Sequence, residues 1–362
     1  MKIGLIVYGS LDTMSGGYLY DRKLVEYLRG QGDTVEIIPL PWRNYVSHLM
    51  DNFRFRLPSG FDVLIEDELN HPSLLAANSQ PHPCPVISIV HNLHSSEKRP
   101  AWQNAVYRQI EKRYFKSVDG FIFNSNTTRD TVHALTADDK PHVIATPGGD
   151  RLGALTPERI RQRATEPGPL RLLFLANVTP LKGLHVLLEA ISFPQSAVSV
   201  DVVGSTTVDS KYADEMEQFV IVHGLRSTVH FHGILDGEAL VEKVQRAQVL
   251  VIPSFYEGFG IAFLEAMAFG LPAIGTAAGA IPQLITDGEN GFLINPGDSK
   301  TLAKHLQELA SNRGLLTHLS LGARRRFERF PTWEQSAGSI RDFLLQTIPC
   351  ESRYSWLRQG PT

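Results

Sequence analysis

The sequence predicts an α/β protein built from two doubly wound parallel sheets in tandem, and three observations indicate this fold. Short β-branched runs alternate with longer segments of helical period along nearly the whole chain. The strand runs are continuously apolar, as in parallel sheets that helices cover on both faces. The alternation lapses once, at Arg151–Leu170, in a charged stretch that contains three prolines. We interpret this stretch as the linker between two domains.

The first half of the chain contains six predicted strands with helical segments between them. The strands are Lys2–Tyr8, Thr34–Ile38, Asp62–Ile65, Val86–Val90, Gly120–Phe123 and His142–Ala145. The helical segments include Tyr18–Arg29, Trp102–Lys116 and Thr128–Leu135. This order predicts a first Rossmann-like domain over residues 1–165.

The same alternation restarts after the linker and predicts a second Rossmann-like domain over residues 166–332. Its strands are Leu172–Ala176, Val198–Val203, Val229–His232, Val249–Ile252, Ala273–Thr276 and Gly291–Ile294. Its helices are Leu184–Ile191, Ala213–His223, Gly237–Arg246, Ile261–Phe269 and Lys300–Ser311, and Trp333–Thr347 forms a last helix. Ligands of such sheets bind beyond the carboxyl ends of the strands, so we expect a site in a cleft between the domains.

Composition excludes several classes of protein. The 362 residues carry a net charge of -3, so no overall field attracts nucleic acid. Two distant cysteines, Cys84 and Cys350, exclude a disulfide scaffold and a four-cysteine zinc site, and they suit a reducing compartment. The uncharged stretch Ala266–Thr286 contains glycines and prolines that would break a membrane helix, and we interpret it as buried core. We expect a cytoplasmic protein.

The segment from Glu257 to Glu265 is the strongest candidate for a binding site. It follows an apolar strand and opens a helix, whose first N–H groups can bind an anion. Gly258 and Gly260 let the backbone approach a ligand closely. Glu265 lies in an apolar helix, where a carboxylate needs donors. Either sugar hydroxyls or an arginine could supply them, and the sequence leaves both open.

Two further segments are candidates for phosphate binding. Lys182 stands at the start of a helix, where a cation is disfavoured by about 0.3–1 kcal/mol unless an anion is bound. Gly16 and Gly17 lie at a strand-to-helix turn, where backbone N–H groups can face a phosphate. A solvated lysine and a plain tight turn are the alternatives. The dinucleotide fingerprint Gly-x-Gly-x-x-Gly is absent at this turn, which weighs against hydride transfer.

His91 ends a predicted strand, and His94 follows three residues later. This spacing is weak evidence for a metal site, so we interpret His91 either as a hydrogen-bonding site residue or as an ordinary packed histidine. The basic residues of Trp102–Lys116 indicate either a membrane-surface helix or, more simply, a solvated face above a core stripe.

Taken together, these segments resemble family 4 of the nucleotide-sugar glycosyltransferases, which are retaining enzymes of the GT-B fold. Glu257 and Glu265 match the E-x7-E arrangement of that family. Further matches are the Gly16-Gly17 turn and the segments Pro147–Asp150, Pro180–Gly183, Gly270–Gly275 and Gly288–Leu293. The resemblance spans nearly the whole chain and is strongest between residues 172 and 310.

The resemblance implies a role for each matching residue. Glu257 would contact hydroxyls of the donor sugar, Glu265 the ribose, and Lys182 the diphosphate. His91 matches the family's site histidine, near the donor sugar. The implied catalytic group is His91, Lys182 and Glu257, and the implied donor-binding group is Gly16, Gly17, Asn177, Lys182, Gly258, Phe259, Gly260, Ile261 and Glu265. The C-terminal segment 333–362 would pack back on the first domain.

Asn177 departs from the family pattern, because the family usually has arginine at this position. A neutral side chain there removes half of the usual cationic clamp on the diphosphate. Lys182 and the helix termini, together with an unidentified base, would then stabilise the leaving group; otherwise activity would be low.

The implied reaction moves a sugar from a UDP-, GDP- or ADP-sugar to an acceptor hydroxyl with retention of anomeric configuration. The resemblance implies that the reaction needs neither a metal ion nor another cofactor and uses no protein nucleophile. The acceptor, a glycan, a glycolipid or a small molecule, would contact residues 42–56 and 66–71 of the first domain. Peripheral contact with the inner face of a membrane is open. The alternatives are a GT-B phosphorylase or epimerase, a non-catalytic nucleotide-sugar-binding protein and, least favoured, an oxidoreductase.

Overall fold

The computed structural model describes residues 1–82, 84–96, 99–193 and 197–348. The chain divides into two compact units. The first unit comprises Met1–Pro147 and the chain from Trp333 onward, and the second unit comprises Gly148–Thr332. The sequence placed the end of the first domain at residue 165, eighteen residues beyond this division.

The first unit contains a six-stranded parallel sheet with the strand order β2-β1-β3-β4-β5-β6. Its strands are β1 Lys2–Tyr8, β2 Thr34–Leu40, β3 Val63–Asp67, β4 Val86–Val90, β5 Gly120–Phe123 and β6 His142–Ile144. The helices between them are α1 Gly16–Gly30, α2 Tyr45–Asp51, α3 His71–Asn78, α4 Ala101–Ser117 and α5 Asn126–Thr136. The sheet confirms the predicted doubly wound fold, whereas α2 and α3 were not predicted.

The second unit contains another six-stranded parallel sheet, with the order β12-β11-β10-β7-β8-β9. Its strands are β7 Leu170–Leu175, β8 Val198–Val203, β9 Val229–Phe231, β10 Val249–Val251, β11 Ala273–Thr276 and β12 Gly291–Ile294. Its helices are α6 Pro157–Thr165, α7 Leu184–Ser192, α8 Ser210–Val222, α9 Gly237–Arg246, α10 Ile261–Ala268, α11 Ile281–Leu284, α12 Ser299–Ser311 and α13 Arg313–Phe327. The six strands were all predicted from their apolar runs.

The predicted linker contains helix α6, which is part of the second unit. Thr156 caps its first turn, and its buried face includes Ile160 and Ala164. The buried Arg163 guanidinium donates hydrogen bonds to the carbonyl oxygens of Phe269 (2.8 Å) and Gly270 (2.9 Å). The sequence did not indicate this helix, because the segment is highly charged and contains prolines. In addition, only three of its nine residues are buried, so it shows little apolar periodicity.

The uncharged stretch Ala266–Thr286 forms the end of α10, then β11 and then α11, and most of it is buried. This arrangement confirms its interpretation as core. Within the described residues, no helix has both the length and the apolar character needed to span a membrane.

The last described helix is α14, Trp333–Thr347, which lies in the first unit and packs on α1. The Trp333 ring meets the edge of the Tyr20 ring, with the two centroids 5.9 Å apart. Arg341 Nε donates to Asp33 Oδ2 at 2.7 Å, and the amino group of Met1 bonds to the other oxygen of the same carboxylate. The tail 349–362 lies outside the described residues.

Candidate functional site

Lys182 and Glu257 form an ion pair at the carboxyl edge of the second sheet. Lys182 follows β7 and Glu257 follows β10, and these two strands are neighbours in the sheet. The Lys182 Nζ atom lies 2.6 Å from Glu257 Oε1. The buried Ser254 hydroxyl donates to the same oxygen at 2.8 Å, which fixes the carboxylate in place. No motif in the sequence indicates Ser254 as a site residue.

Two glycines allow the loops around this ion pair to lie close together. Gly183 has φ +73°, and a Cβ atom on it would lie 2.3 Å from the Pro253 carbonyl oxygen. Gly279 has φ +62°, and its Cβ would lie 2.1 Å from the Glu257 carbonyl oxygen. Any side chain at either position would combine backbone strain with a clash, so both positions require glycine.

The segment Gly258–Ile261 leads into α10, which begins at Ile261. Gly260 occupies the N-cap position with φ +97°, and as a glycine it has no side chain with which to cap this end of the helix. The N-terminus of α10 therefore presents backbone N–H groups one turn after Glu257. An uncapped helix start of this kind favours anions through its dipole and its N–H groups.

Glu265 is buried in α10 and pairs with Arg151. Arg151 Nε lies 2.6 Å from Glu265 Oε1, and Nη2 lies 3.1 Å from Oε2, so the contact is bidentate. Of the two partners that the sequence left open for Glu265, the structure contains the arginine. Arg151 was missed as a site residue because it stands 114 positions away, in the predicted linker. Its partly exposed guanidinium also lines an open cavity of about 550 Å³ beside the α9 residues Glu238 and Glu242.

Asn177 connects two loops at the carboxyl edge of the second sheet. Its Oδ1 atom accepts a hydrogen bond of 3.2 Å from the backbone N–H of Ser205, which follows β8. The neutral side chain that departs from the family pattern is thus engaged in loop packing. Asn177 adds no positive charge near Lys182.

In the first unit, His91 lies between α1 and β4 and against two carboxylates. Its Nε2 atom is 3.2 Å from Asp21 Oδ1, and its backbone N–H donates to Glu68 Oε2 at 2.9 Å. The imidazole also packs against Gly17, where an added Cβ would lie 3.2 Å from the ring. Gly16 begins α1, which Ser15 caps by accepting from Tyr18 N. The predicted turn and His91 are therefore in contact, and Asp21 is a partner that the sequence did not indicate.

The charge of His91 depends on these carboxylates. Burial lowers the pKa of His91, but the contact with Asp21, together with Glu68 and Asp67, outweighs burial and raises this pKa to about 10. Burial raises the pKa of Asp67 well above its ordinary value, and it also raises that of Glu68. His91 therefore holds a proton at neutral pH.

Asp21, Asp67 and His91 offer ligand atoms within 4.8 Å of one another, a spacing that suits a cation. The protonated imidazole already supplies a positive charge to this group, so the residues present fit a proton better than a metal ion. His94 does not join them, because its ring stacks on Tyr45 with centroids 5.5 Å apart. Residues His133, Asp139 and His142 form another group with ligand spacing, at the sheet edge near β6.

Comparisons with known proteins identify the second unit. Residues 156–326 match the family model "Glycosyl transferases group 1". These residues, which lie within the second unit, are similar to the group 1 glycosyltransferases. They include Asn177, Lys182, Glu257, Gly258–Ile261 and Glu265, and thus every donor-binding residue predicted for the second domain.

Curated relatives of the chain include D-inositol 3-phosphate glycosyltransferases. The chain is 30% identical to the protein of Xylanimonas cellulosilytica over 229 residues, which cover 60% of this chain and 54% of that protein. It is 28% identical to the protein of Actinosynnema mirum, with 64% and 58% covered. The chain thus spans about half the length of the curated relatives it matches.

Solved structures show the fold of the whole chain. Sucrose-phosphate synthase from Thermosynechococcus elongatus has a TM-score of 0.80 at 20% identity, with 95% of this chain and 98% of that chain covered. HepE from Anabaena in complex with UDP and glucose has a TM-score of 0.73 at 18% identity, with 95% and 99% covered. Both similarities extend over residues of both units. The predicted GT-B fold, with two Rossmann-like domains, is confirmed.

Proposed function

We propose that the chain is a retaining glycosyltransferase that moves a sugar from a nucleoside diphosphate sugar to an acceptor hydroxyl. The observation that carries this proposal is the group formed by Lys182, Glu257 and Ser254 beside the uncapped start of α10. It combines a cation and a helix N-terminus, which suit a diphosphate, with a fixed carboxylate, which suits sugar hydroxyls. The similarity of the surrounding residues 156–326 to the group 1 glycosyltransferases supports the same reaction class.

Lys182 and the N-terminus of α10 would hold the diphosphate and stabilise the charge that develops on it as the sugar leaves. The Lys182 ammonium has three donors, so it can keep its bond to Glu257 while it binds a phosphate oxygen. Because residue 177 is neutral, Lys182 would supply a larger share of the positive charge at the diphosphate than it would if an arginine stood at position 177. Together these groups would make the reaction independent of metal ions.

Glu257 only accepts hydrogen bonds when ionised, and two of its contacts, from Lys182 and Ser254, meet the same oxygen, Oε1. The donor sugar would donate its hydroxyls to this carboxylate. Glu265 would accept from the ribose hydroxyls, while Arg151 keeps its buried carboxylate neutralised. The nucleotide base attached to that ribose would occupy the cavity beside Arg151.

His91 would donate a hydrogen bond to the donor sugar from a protonated imidazole, which Asp21 keeps charged. The acceptor oxygen would attack the anomeric carbon on the face from which the diphosphate departs. The bond between that carbon and the diphosphate oxygen breaks, and the acceptor proton passes to the diphosphate. No protein nucleophile is required in this sequence of steps.

The first test is calorimetric binding of UDP, GDP, ADP and their common sugar conjugates to the wild-type protein and to Glu265→Ala. UDP is the first choice because HepE, a structural neighbour, was solved with UDP and with UDP-glucose. We expect one nucleotide to bind tightly and the Glu265→Ala variant to lose at least about tenfold in affinity, equal to about 1.4 kcal/mol. Glu189→Ala, an exposed glutamate of α7, is the matched control and should bind as the wild type does.

Failure of every nucleotide to bind would overturn the proposal. Turnover with acceptor sugar and inorganic phosphate in place of a nucleotide donor would instead indicate a phosphorylase. Arg151→Ala separates the two tasks of Glu265. If Glu265 itself binds the ribose, Arg151→Ala should lower the nucleotide affinity only in part. If the pair of Arg151 and Glu265 is purely structural, the variant should lower the free energy of unfolding and leave the affinity unchanged.

A non-catalytic nucleotide-sugar-binding protein is the second candidate, and Asn177 favours it. The absence of a positive charge at this position weakens stabilisation of the leaving diphosphate more than it weakens binding of the intact donor. Asn177→Arg distinguishes the candidates. A transferase should gain turnover or keep it, whereas a binding protein should bind donor without releasing nucleoside diphosphate in either form.

A further inference from the structure

We propose that the first unit docks on an anionic lipid surface through one face, formed by residues 42–56 and by helix α4. We call it the α2–α4 face. It is defined by exposed apolar and basic side chains of these two segments, which both lie in the first unit.

The apolar side chains of α2 and its flanks are exposed in a helical pattern. Val46, Met50 and Phe53 follow one another at intervals of four and three residues, and Val46 is 71% exposed and Phe53 75%. Trp42 precedes them and is also exposed. Side chains this large are normally buried, and a cluster of them on a surface marks an interaction site.

The start of α4 continues the same surface. Trp102 is 69% exposed, and Val106, one turn later, is also exposed. The two helices are in contact, because the rings of Tyr45 at the start of α2 and Tyr107 in α4 have centroids 4.7 Å apart. This contact places the exposed apolar side chains of the two segments on adjoining elements of the first unit.

The charge of the face is strongly positive although the chain carries a net charge of -3. Residues 42–56 contain three arginines and one acidic residue, and helix α4 contains four basic residues and one acidic residue. Both acidic residues are engaged inside the unit. Asp51 pairs with Arg43 and accepts from Ser73, and Glu111 is buried and accepts from Ser95 N. The charges left facing solvent are basic.

Apolar side chains that include tryptophan, surrounded by lysine and arginine, match the boundary of a bilayer with anionic head groups. Basic residues near such a surface are attracted to the anionic head groups, and the apolar side chains are buried below those groups. Arg43 is compensated by Asp51, and a protein partner of ordinary composition would need acidic side chains opposite the six other basic residues of the face. An anionic bilayer supplies negative charge over its whole surface.

The position of the face also suggests the chemical class of the acceptor, and this step rests on the proposed function. Residue 42 follows the carboxyl end of β2 and residue 99 follows that of β4, so both segments lie at the same edge of the first sheet. The acceptor contacts expected in residues 42–56 belong to this edge. The acceptor hydroxyl would therefore be carried by a lipid held in the membrane.

The test is sedimentation of the full chain with vesicles of phosphatidylcholine alone and with about 30 mol% phosphatidylglycerol. We expect the wild type to sediment with the anionic vesicles and to be released by salt. Trp102→Ser/Val106→Ser should reduce the bound fraction at least about tenfold. The matched control is Val208→Ser/Val222→Ser, which changes two exposed apolar residues of the second unit and should bind as the wild type does.

Charge reversal provides an independent arm. Arg108→Glu/Arg113→Glu should abolish binding to anionic vesicles, whereas Lys211→Glu/Arg246→Glu, at exposed positions of α8 and α9, should not. Equal sedimentation with neutral and anionic vesicles, or unchanged binding by the variants of the face, would overturn the proposal. Nucleotide affinity, measured in parallel, should be the same in all variants. If the wild type binds no nucleotide, the proposed function is refuted. Membrane docking is then judged from the sedimentation alone.

Discussion

His91 and Lys182 each meet a carboxylate at hydrogen-bond distance, and in both cases the contact joins residues far apart in the sequence. His91 meets Asp21, 70 positions away, and Lys182 meets Glu257, 75 positions away. A buried charge without its partner costs several kcal/mol, so each contact fixes the position of the two side chains that form it. Two predictions follow from these pairs.

Asp21→Asn should move the alkaline limit of activity to lower pH. In the wild type the raised pKa keeps His91 protonated up to about pH 10. Without the Asp21 charge, burial lowers this pKa with less opposition, so the imidazole loses its proton as the pH rises through a lower value. The measurement is kcat/KM against pH, with the ring of His91 followed by NMR.

Asp201→Asn is the matched control for this change, because Asp201 contacts His232 Nε2 in the second unit. It should leave the alkaline limit unchanged. An identical pH profile for Asp21→Asn and the wild type would show that Asp21 does not set the charge of His91.

Lys182→Ala should weaken the binding of a nucleoside diphosphate by about 10- to 100-fold, which corresponds to roughly 1.5–3 kcal/mol for a charge-assisted hydrogen bond. The variant also leaves the buried Glu257 carboxylate near the phosphates without its cation. Calorimetry with the nucleotide that the wild type prefers measures this loss. Lys243→Ala, which breaks a similar contact to Asp201, should bind normally, and equal affinity in both variants would count against a phosphate-binding role for Lys182.

At the scale of elements, the site depends on loops that follow adjacent parallel strands. β7 and β10 pair directly, so the loops that carry Lys182 and Glu257 lie side by side, and Phe255 N donates to Leu181 O across them at 2.8 Å. Gly183 permits this approach because its φ is positive and the space on its Cβ side is filled by the Pro253 carbonyl. Helix α10 then begins where the second loop ends.

Gly183→Ala should lower both stability and nucleotide affinity. The substitution adds a left-handed strain of about 1–2 kcal/mol and a clash with backbone that cannot rotate away. Gly224→Ala is a sharp control, because Gly224 has nearly the same φ, +68°, with nothing within 4 Å of an added Cβ. Urea unfolding should show a larger loss for Gly183→Ala, and only this variant should bind nucleotide more weakly. Equal losses in the two variants would show that the close approach of the loops is unimportant.

At the scale of the whole molecule, buried titratable groups make the first unit sensitive to alkali. Burial raises the pKa values of Tyr8, Tyr18, Tyr20, Tyr45 and Tyr114 above the ordinary tyrosine value. His91 adds a raised pKa of about 10. In each case the folded state holds its proton more tightly than the unfolded state does, so folding is favoured at lower pH.

The free energy of unfolding should therefore fall as the pH rises from about 7 to 10. The contribution of His91 is fully present below its unfolded pKa, near 6.5, and is lost as the pH rises through about 10. Its slope is at most about 1.4 kcal/mol per pH unit, and the tyrosines make the decline steeper above pH 10. Urea unfolding followed by circular dichroism at several pH values measures the slope.

His91→Gln should flatten the decline between pH 7 and 10 and leave the steeper part in place, whereas His232→Gln should change neither part. A stability that rises over this interval in the wild type would contradict the assignment of a raised pKa to His91.

The sequence by itself determined the two parallel sheets, the strand positions and the segments that carry Lys182, Glu257 and Glu265. Apolar periodicity and glycine-rich turns are local properties, so they can be recognised in a single sequence. The helices α2, α3, α6, α11 and α13 were not predicted. Helix α6 buries few residues, and α2, α3 and α11 are too short to show a long apolar period.

Only the tertiary structure decided which partner each buried charge meets. Glu265 pairs with Arg151, His91 lies against Asp21, and Asn177 accepts a hydrogen bond from Ser205. Each contact joins residues from different elements, and the sequence specifies that a buried carboxylate needs a donor without specifying which donor reaches it. That choice depends on which loops the sheet order brings to one edge, and the sheet order is set by packing of the whole unit.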